Sequence, residues 1–171
     1  MKLSPPPLVV AFELSERRKS IVADGLAGAS AIIYLAELDG AARAEALRNA
    51  GVLLTNNTAK DLRSGEAALL RSARLIQFTI AGVDFIPLSE LPEGVPVATN
   101  GGGYAESMAE HALAMTLAAA KRLIVEHENL KRGQFNQFTR NRMLAGGVCG
   151  IFGFGGIGAA KIGRASCRER V

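Results

Sequence analysis

The sequence predicts an α/β protein built on a doubly wound parallel sheet. Short apolar runs alternate with helix-forming stretches, the order that β-α units require. Those runs do not alternate cleanly between apolar and polar residues, which fits a sheet covered on both faces. Near the end of the chain, a strand-like run leads directly into a glycine turn and a helix start.

Taken in order, residues 8–12 form a first apolar strand, and Ser15 is placed to cap a helix running to Gly25. Residues 31–35 (Ala-Ile-Ile-Tyr-Leu) read as a second strand. Residues 41–50 are strong helix formers closed by Gly51. Residues 52–55 are a third strand, 65–72 a helix, 74–80 a fourth strand and 95–98 a fifth. A long helix is then expected from Ala105 to about Arg132. Met108, Ala112, Met115, Ala119, Leu113, Leu117, Ala120 and Ile124 make its broad apolar face, and Gly133 its C-cap. Residues 134–142 are polar, and residues 148–152 are the strand that enters the glycine turn.

The 171 residues are 49% hydrophobic, enough for a substantial core. The formal charge is +4, but residues 161–171 alone carry four positive groups and one negative, leaving about +1 for the rest. That balance gives no support to nucleic-acid binding. No apolar run approaches the roughly 18 residues of a membrane helix, and the N-terminus does not read as a signal peptide. Cys149 is expected to be a small buried hydrophobe. No disulfide is implied, as in the reducing cytoplasm.

Gly153, Gly155 and Gly158 fit G-x-G-x-x-G. The first glycine makes the tight turn, the second lets a pyrophosphate approach the backbone, and the third lets the helix pack close to the strand. The helix N-terminus then offers unpaired N–H groups to the anion. Two further loops follow strand ends, where open α/β sheets bind ligands. One is Ala81-Gly82-Val83-Asp84, where Gly82 would let backbone N–H groups face a small anion. The other is Thr99-Asn100-Gly101-Gly102-Gly103-Tyr104, a hinge or a point of close backbone approach. Glu110 and His111 are adjacent on the long helix and so point apart. His111 is read as a satisfied structural histidine, and His127 as lying on a solvated face. No metal-ligand spacing is present.

Residues 162–171 (Ile-Gly-Arg-Ala-Ser-Cys-Arg-Glu-Arg-Val) break the helical pattern and match the translation of a sequencing adapter. Residues 161–171 are therefore expected to be a non-native tail, with residues 162–171 not encoded in the source genome.

Together these stretches resemble the D-isomer-specific 2-hydroxyacid dehydrogenase family. The resemblance rests on Arg74-Leu75-Ile76-Gln77 with Ala81-Gly82-Val83-Asp84, on Gly94-Val95-Pro96-Val97-Ala98-Thr99-Asn100, on the helix Tyr104-Ala105-Glu106-Ser107-Met108-Ala109-Glu110-His111-Ala112-Leu113-Ala114, and on Gly150-Ile151-Phe152-Gly153-Phe154-Gly155-Gly156-Ile157-Gly158. It implies a flavodoxin-like substrate domain over residues 1–104. A connector helix and the beginning of a Rossmann domain would follow over residues 105–160. It further implies NAD or NADP as cofactor, a small 2-keto or 2-hydroxy acid as substrate, and a homodimer. Ala81, Gly82, Val83 and Asn100 would face the substrate. Ala81, Ala105, Gly153, Gly155, Gly156, Ile157 and Gly158 would face the cofactor. The family's catalytic Arg, Glu and His fall beyond Ala160, so no residue of this chain is assigned to catalysis. The chain alone is expected to be inactive and to bind NAD poorly. The alternatives are a dinucleotide-sensing corepressor on the same fold and an unrelated α/β enzyme, such as a hydrolase of adenosyl-thioethers.

Overall fold

The computed structural model describes residues 5–165. The chain forms two compact units, Met1–Gly101 and Gly102–Val171.

In the first unit, strands β1 (Leu8–Val10), β2 (Ile32–Tyr34), β3 (Val52–Thr55), β4 (Leu75–Phe78) and β5 (Val97–Ala98) form one sheet in the order β2-β1-β3-β4-β5. Every pairing is parallel, with Leu8 opposite both Ile32 and Val52, Val52 opposite Leu75, and Ile76 opposite Val97. This is the flavodoxin-like doubly wound order. Val9, Leu53, Ile76 and Phe78 are fully buried at the centre of the core. β3 and β4 alternate between buried and half-buried residues, so one face of the sheet is sealed more tightly than the other.

The helices depart from expectation mainly at their ends. Helix α1 (Glu16–Leu26) starts after Ser15, whose hydroxyl makes no capping bond; the Ser15 carbonyl accepts from Arg18 and Lys19 instead. It runs past Gly25 and closes on Ala27 in the left-handed region. Helix α2 (Gly40–Arg48) closes at Asn49, before Gly51. Gly51 serves another purpose: a Cβ there would lie 2.5 Å from the Pro6 side chain, so glycine permits the close approach of the N-terminal segment. The short helix α3 (Thr58–Asp61), capped by the Asn57 side chain on Ala59 N–H, was not anticipated. Residues Glu66–Ser72 wind as a 3-10 helix, not an α-helix. It is entered through Gly65 at φ +78° and held by Glu66, whose carboxylate is tied to Arg43.

In the second unit the expected long helix is two helices, α4 (Ala105–Ala120) and α5 (Leu123–Lys131). The break has a definite cause. The Ala120 carbonyl accepts the Arg142 N–H at 3.0 Å, where a continuous helix would use the N–H of Ile124. Lys121 Nζ donates to the Arg142 carbonyl, and Arg122 turns left-handed at φ +54°. Ala109 is buried, whereas Met115 and Ile124 of the expected apolar face are exposed. Helix α6 (Gly156–Ala165) follows the glycine turn.

The segment before that turn is not a strand, contrary to the sequence pattern: residues 147–151 carry no regular structure, and Val148 and Phe152 are exposed. A parallel strand exists only through a neighbour's hydrogen bonds, and none reaches this segment among the described residues. Cys149, expected to be buried in it, is exposed. Residues 166–171 of the expected non-native tail lie outside the described residues. No helix among the described residues is long and apolar enough to cross a membrane.

Candidate functional site

In the first unit the parallel strands bring the loops after β3, β4 and β5 to one edge. Main-chain bonds set their level: Thr79 N–H donates to the Thr55 carbonyl and Asn100 N–H to the Ile80 carbonyl, both at 2.9 Å. The Asn100 side chain then donates to the Thr79 carbonyl at 3.1 Å. Asn100 is thus fastened by both its main chain and its side chain beside the Ala81–Gly82–Val83 loop. The N–H groups of Ala81, Gly82 and Val83 donate to no other group among the described residues. Successive free N–H groups at a strand end are the arrangement that receives a small anion. Gly82 carries no steric demand, since a Cβ there would meet only the Asp84 carboxylate at 3.6 Å.

The polar chain continues away from this rim. The Thr79 hydroxyl donates to the Asn56 side-chain oxygen. The loop from Thr55 to Asn57 is wrapped on one oxygen of Asp61, which accepts the Thr55 hydroxyl at 2.6 Å, Asn56 N–H at 2.8 Å and Asn57 N–H at 3.0 Å. Behind it, Arg43 is buried and donates to the carbonyls of Leu35 and Asp61 and to both oxygens of Glu66. Burial pushes the Glu66 carboxyl up. The Arg43 hydrogen bonds, the Arg63 N–H and the two positive charges outweigh it, so the carboxyl sits below its ordinary value. This is the signature of a structural ion pair and not of a proton donor.

In the second unit each glycine of the turn can be tested separately. Gly153 has φ +93°, a conformation that L side chains rarely adopt. A Cβ on Gly155 would meet nothing within 4 Å, so that side of the turn is open to a ligand. A Cβ on Gly158 would lie 2.3 Å from the Gly153 carbonyl oxygen and 3.5 Å from Ile151 Cγ2, so the helix can approach only with glycine there. The first turn of α6 leaves the N–H groups of Gly156, Ile157 and Gly158 without an acceptor among the described residues. A Cβ on Gly156 would touch the Ala105 Cβ at 3.4 Å, which places Ala105 beside the turn. These residues carry three local features of a dinucleotide turn, namely a positive-φ glycine, an open face and free N–H donors at a helix start, without the strand that leads into one.

His111 is exposed on α4, which corrects its reading as a satisfied structural histidine; His127 is exposed on α5, as expected. No group of His, Cys, Asp or Glu among the described residues could hold a metal.

No protein-family model and no curated protein matches the sequence. Solved structures do. A glycerate dehydrogenase related protein from Thermoplasma acidophilum is 28% identical, with a TM-score of 0.63 over 93% of this chain and 50% of its own. The D-lactate dehydrogenase of Aquifex aeolicus, complexed with NAD and lactic acid, is 22% identical, with a TM-score of 0.66 over 92% of this chain and 47% of its own. A D-isomer specific 2-hydroxyacid dehydrogenase family protein from Aeromonas salmonicida subsp. salmonicida is 16% identical, with a TM-score of 0.64 over 82% of this chain and 44% of its own. The chain is similar in fold to solved D-isomer-specific 2-hydroxyacid dehydrogenases.

It spans about half the length of these relatives. The sequence reading missed Asn56, Asp61 and Thr79, because isolated polar residues after a strand carry no motif. The signal available was the run Thr55-Asn56-Asn57-Thr58, a dense cluster of turn formers directly after an apolar strand.

Proposed function

We propose that this chain is the substrate-binding unit and the start of the dinucleotide-binding unit of an NAD- or NADP-dependent oxidoreductase acting on a small 2-hydroxy or 2-keto acid. The reading rests on one observation above the others. The free N–H groups of Ala81, Gly82 and Val83 stand beside a doubly anchored Asn100, and the same chain carries a glycine turn with Gly153 at positive φ, open space at Gly155 and a close backbone approach at Gly158. The acid's carboxylate would take the Ala81–Val83 donors, and Asn100 would orient it. Gly153 and Gly155 would seat the pyrophosphate against the N–H groups of Gly156, Ile157 and Gly158, with Ala105 beside the turn. The bound cofactor supplies a hydride acceptor or donor at its nicotinamide C4. The acid–base histidine, its glutamate and the substrate arginine are expected beyond Ala160, and His111 does not replace them. NAD is favoured by the relatives solved with it. A homodimer fits the exposed Met115 and Ile124, which would be covered by a partner surface. A cytoplasmic setting fits the absence of any implied disulfide.

The binding half of this reading is tested by nuclear magnetic resonance. Glyoxylate titrated into isotope-labelled protein is expected to shift the amides of Ala81, Gly82 and Val83 and the side-chain amide of Asn100 together. Shifts confined to other residues would refute the assignment.

A further inference from the structure

We propose that Asp61 is the positioning residue of the substrate rim. The inference rests on the function proposed above and adds a residue that no sequence motif singles out. Asp61 Oδ2 gathers the Thr55 hydroxyl and the N–H groups of Asn56 and Asn57. One carboxylate oxygen thereby fixes the whole turn after β3. Asn56, held in this way, accepts the Thr79 hydroxyl, and the Thr79 carbonyl accepts the Asn100 side chain. The line from Asp61 to Asn100 therefore crosses the ends of three adjacent strands without a gap. Asp61 is itself held from behind, because its carbonyl accepts Arg43 Nη2 at 3.1 Å.

A negative charge near a carboxylate-binding rim opposes the ligand. The value of Asp61 there is geometric: charge-assisted hydrogen bonds are short and directional, and they hold Asn56 and Thr79 at fixed positions before the ligand arrives. Removing the acceptor releases the β3 loop and, through Thr79, the orientation of Asn100. Removing the charge while keeping an acceptor oxygen does not.

The test is steady-state kinetics on the complete gene product containing residues 1–160, with a 2-keto acid such as glyoxylate and a reduced nicotinamide cofactor. Asp61→Ala is expected to raise the keto-acid KM about tenfold while kcat changes by less than about threefold, the pattern of lost ground-state binding. The cofactor KM is expected to stay put. Asp61→Asn, which keeps an acceptor oxygen, is expected to restore the keto-acid KM to within about threefold of the parent. An unchanged keto-acid KM in folded Asp61→Ala overturns the inference and leaves the proposed function standing. Parallel losses in kcat and in both KM values also overturn it, because they mark general damage. Should Asp61→Ala fail to fold, Asn56→Leu severs the same line: the same rise in KM supports the inference and no rise overturns it. A parent protein that turns over no 2-keto acid refutes the proposed function and this inference with it.

Discussion

A Cβ on Gly158 would stand 2.3 Å from the carbonyl oxygen of Gly153. The obstacle is backbone, so it cannot swing aside as a side-chain tip could. Gly155, in the same turn, has open space where its Cβ would be. The two glycines are thus required for different reasons. Gly158→Ala is expected to distort the turn itself and Gly155→Ala only to obstruct the ligand. In the complete gene product containing residues 1–160, each is expected to weaken NAD binding by tenfold or more, ~1.4 kcal/mol. Only Gly158→Ala should alter the amide resonances of the turn in the absence of NAD. Calorimetric titration together with ligand-free spectra separates the two effects. Equal spectra for both variants would contradict the structural account.

Asn100 donates to the Thr79 carbonyl from its side chain and to the Ile80 carbonyl from its main chain. Replacing it with alanine removes the first bond and keeps the second, so the loop should stay in place. Asn100→Ala is expected to raise the keto-acid KM about tenfold with little change in melting temperature, as loss of one hydrogen bond to a charged ligand implies. A drop of many degrees in the melting temperature would show that the side chain is structural instead.

The Arg43–Glu66 pair makes a prediction about stability. Its side chains are only 7% and 12% exposed. Removing one partner leaves the other buried and unpaired, so Glu66→Ala is expected to cost about 3 kcal/mol in denaturant unfolding. The Glu66 carboxyl lies below its ordinary value of 4.5 in the folded protein. A depressed carboxyl contributes stability that is complete above the unfolded value and fades as the pH falls through the folded one. The parent should therefore lose stability below about pH 4.5, and Glu66→Gln, which cannot titrate, should show a shallower acid slope. Identical slopes would remove Glu66 from the account.

The sheet was legible in the sequence because its five strands are short apolar runs bounded by turn residues; the β-α alternation gave a parallel doubly wound sheet, and the flavodoxin-like arrangement came from the family resemblance. The glycine turn was legible because each of its positions answers a separate steric demand. What stayed hidden depends on contacts distant in sequence. The break at Arg122 is caused by a hydrogen bond from Arg142, and the local pattern through residues 105–132 is helical throughout. The strand expected at residues 148–152 has the right composition, but pairing is a property of two segments and not of one. Asp61 shows its importance only once Thr55, Asn56 and Asn57 are folded around it.

That unpaired segment bears on the 171-residue chain as it stands. The glycine turn is entered from a stretch without sheet support, and Val148 and Phe152 are exposed. A turn held on one side only does not keep its N–H groups aimed at a pyrophosphate. Calorimetric titration of NAD into this chain is expected to show no micromolar binding. Tight binding would mean that α4 and α6 suffice to organise the turn.

The complete gene product containing residues 1–160 is expected to pass a hydride between a nicotinamide cofactor and a small 2-hydroxy acid. The most direct measurement follows the oxidation of NADH and NADPH by the folded complete protein across a panel of 2-keto acids that includes glyoxylate and hydroxypyruvate. Turnover of at least one of them, saturable in both keto acid and cofactor, is the expected result. No oxidation of either cofactor with any member of the panel would contradict the account.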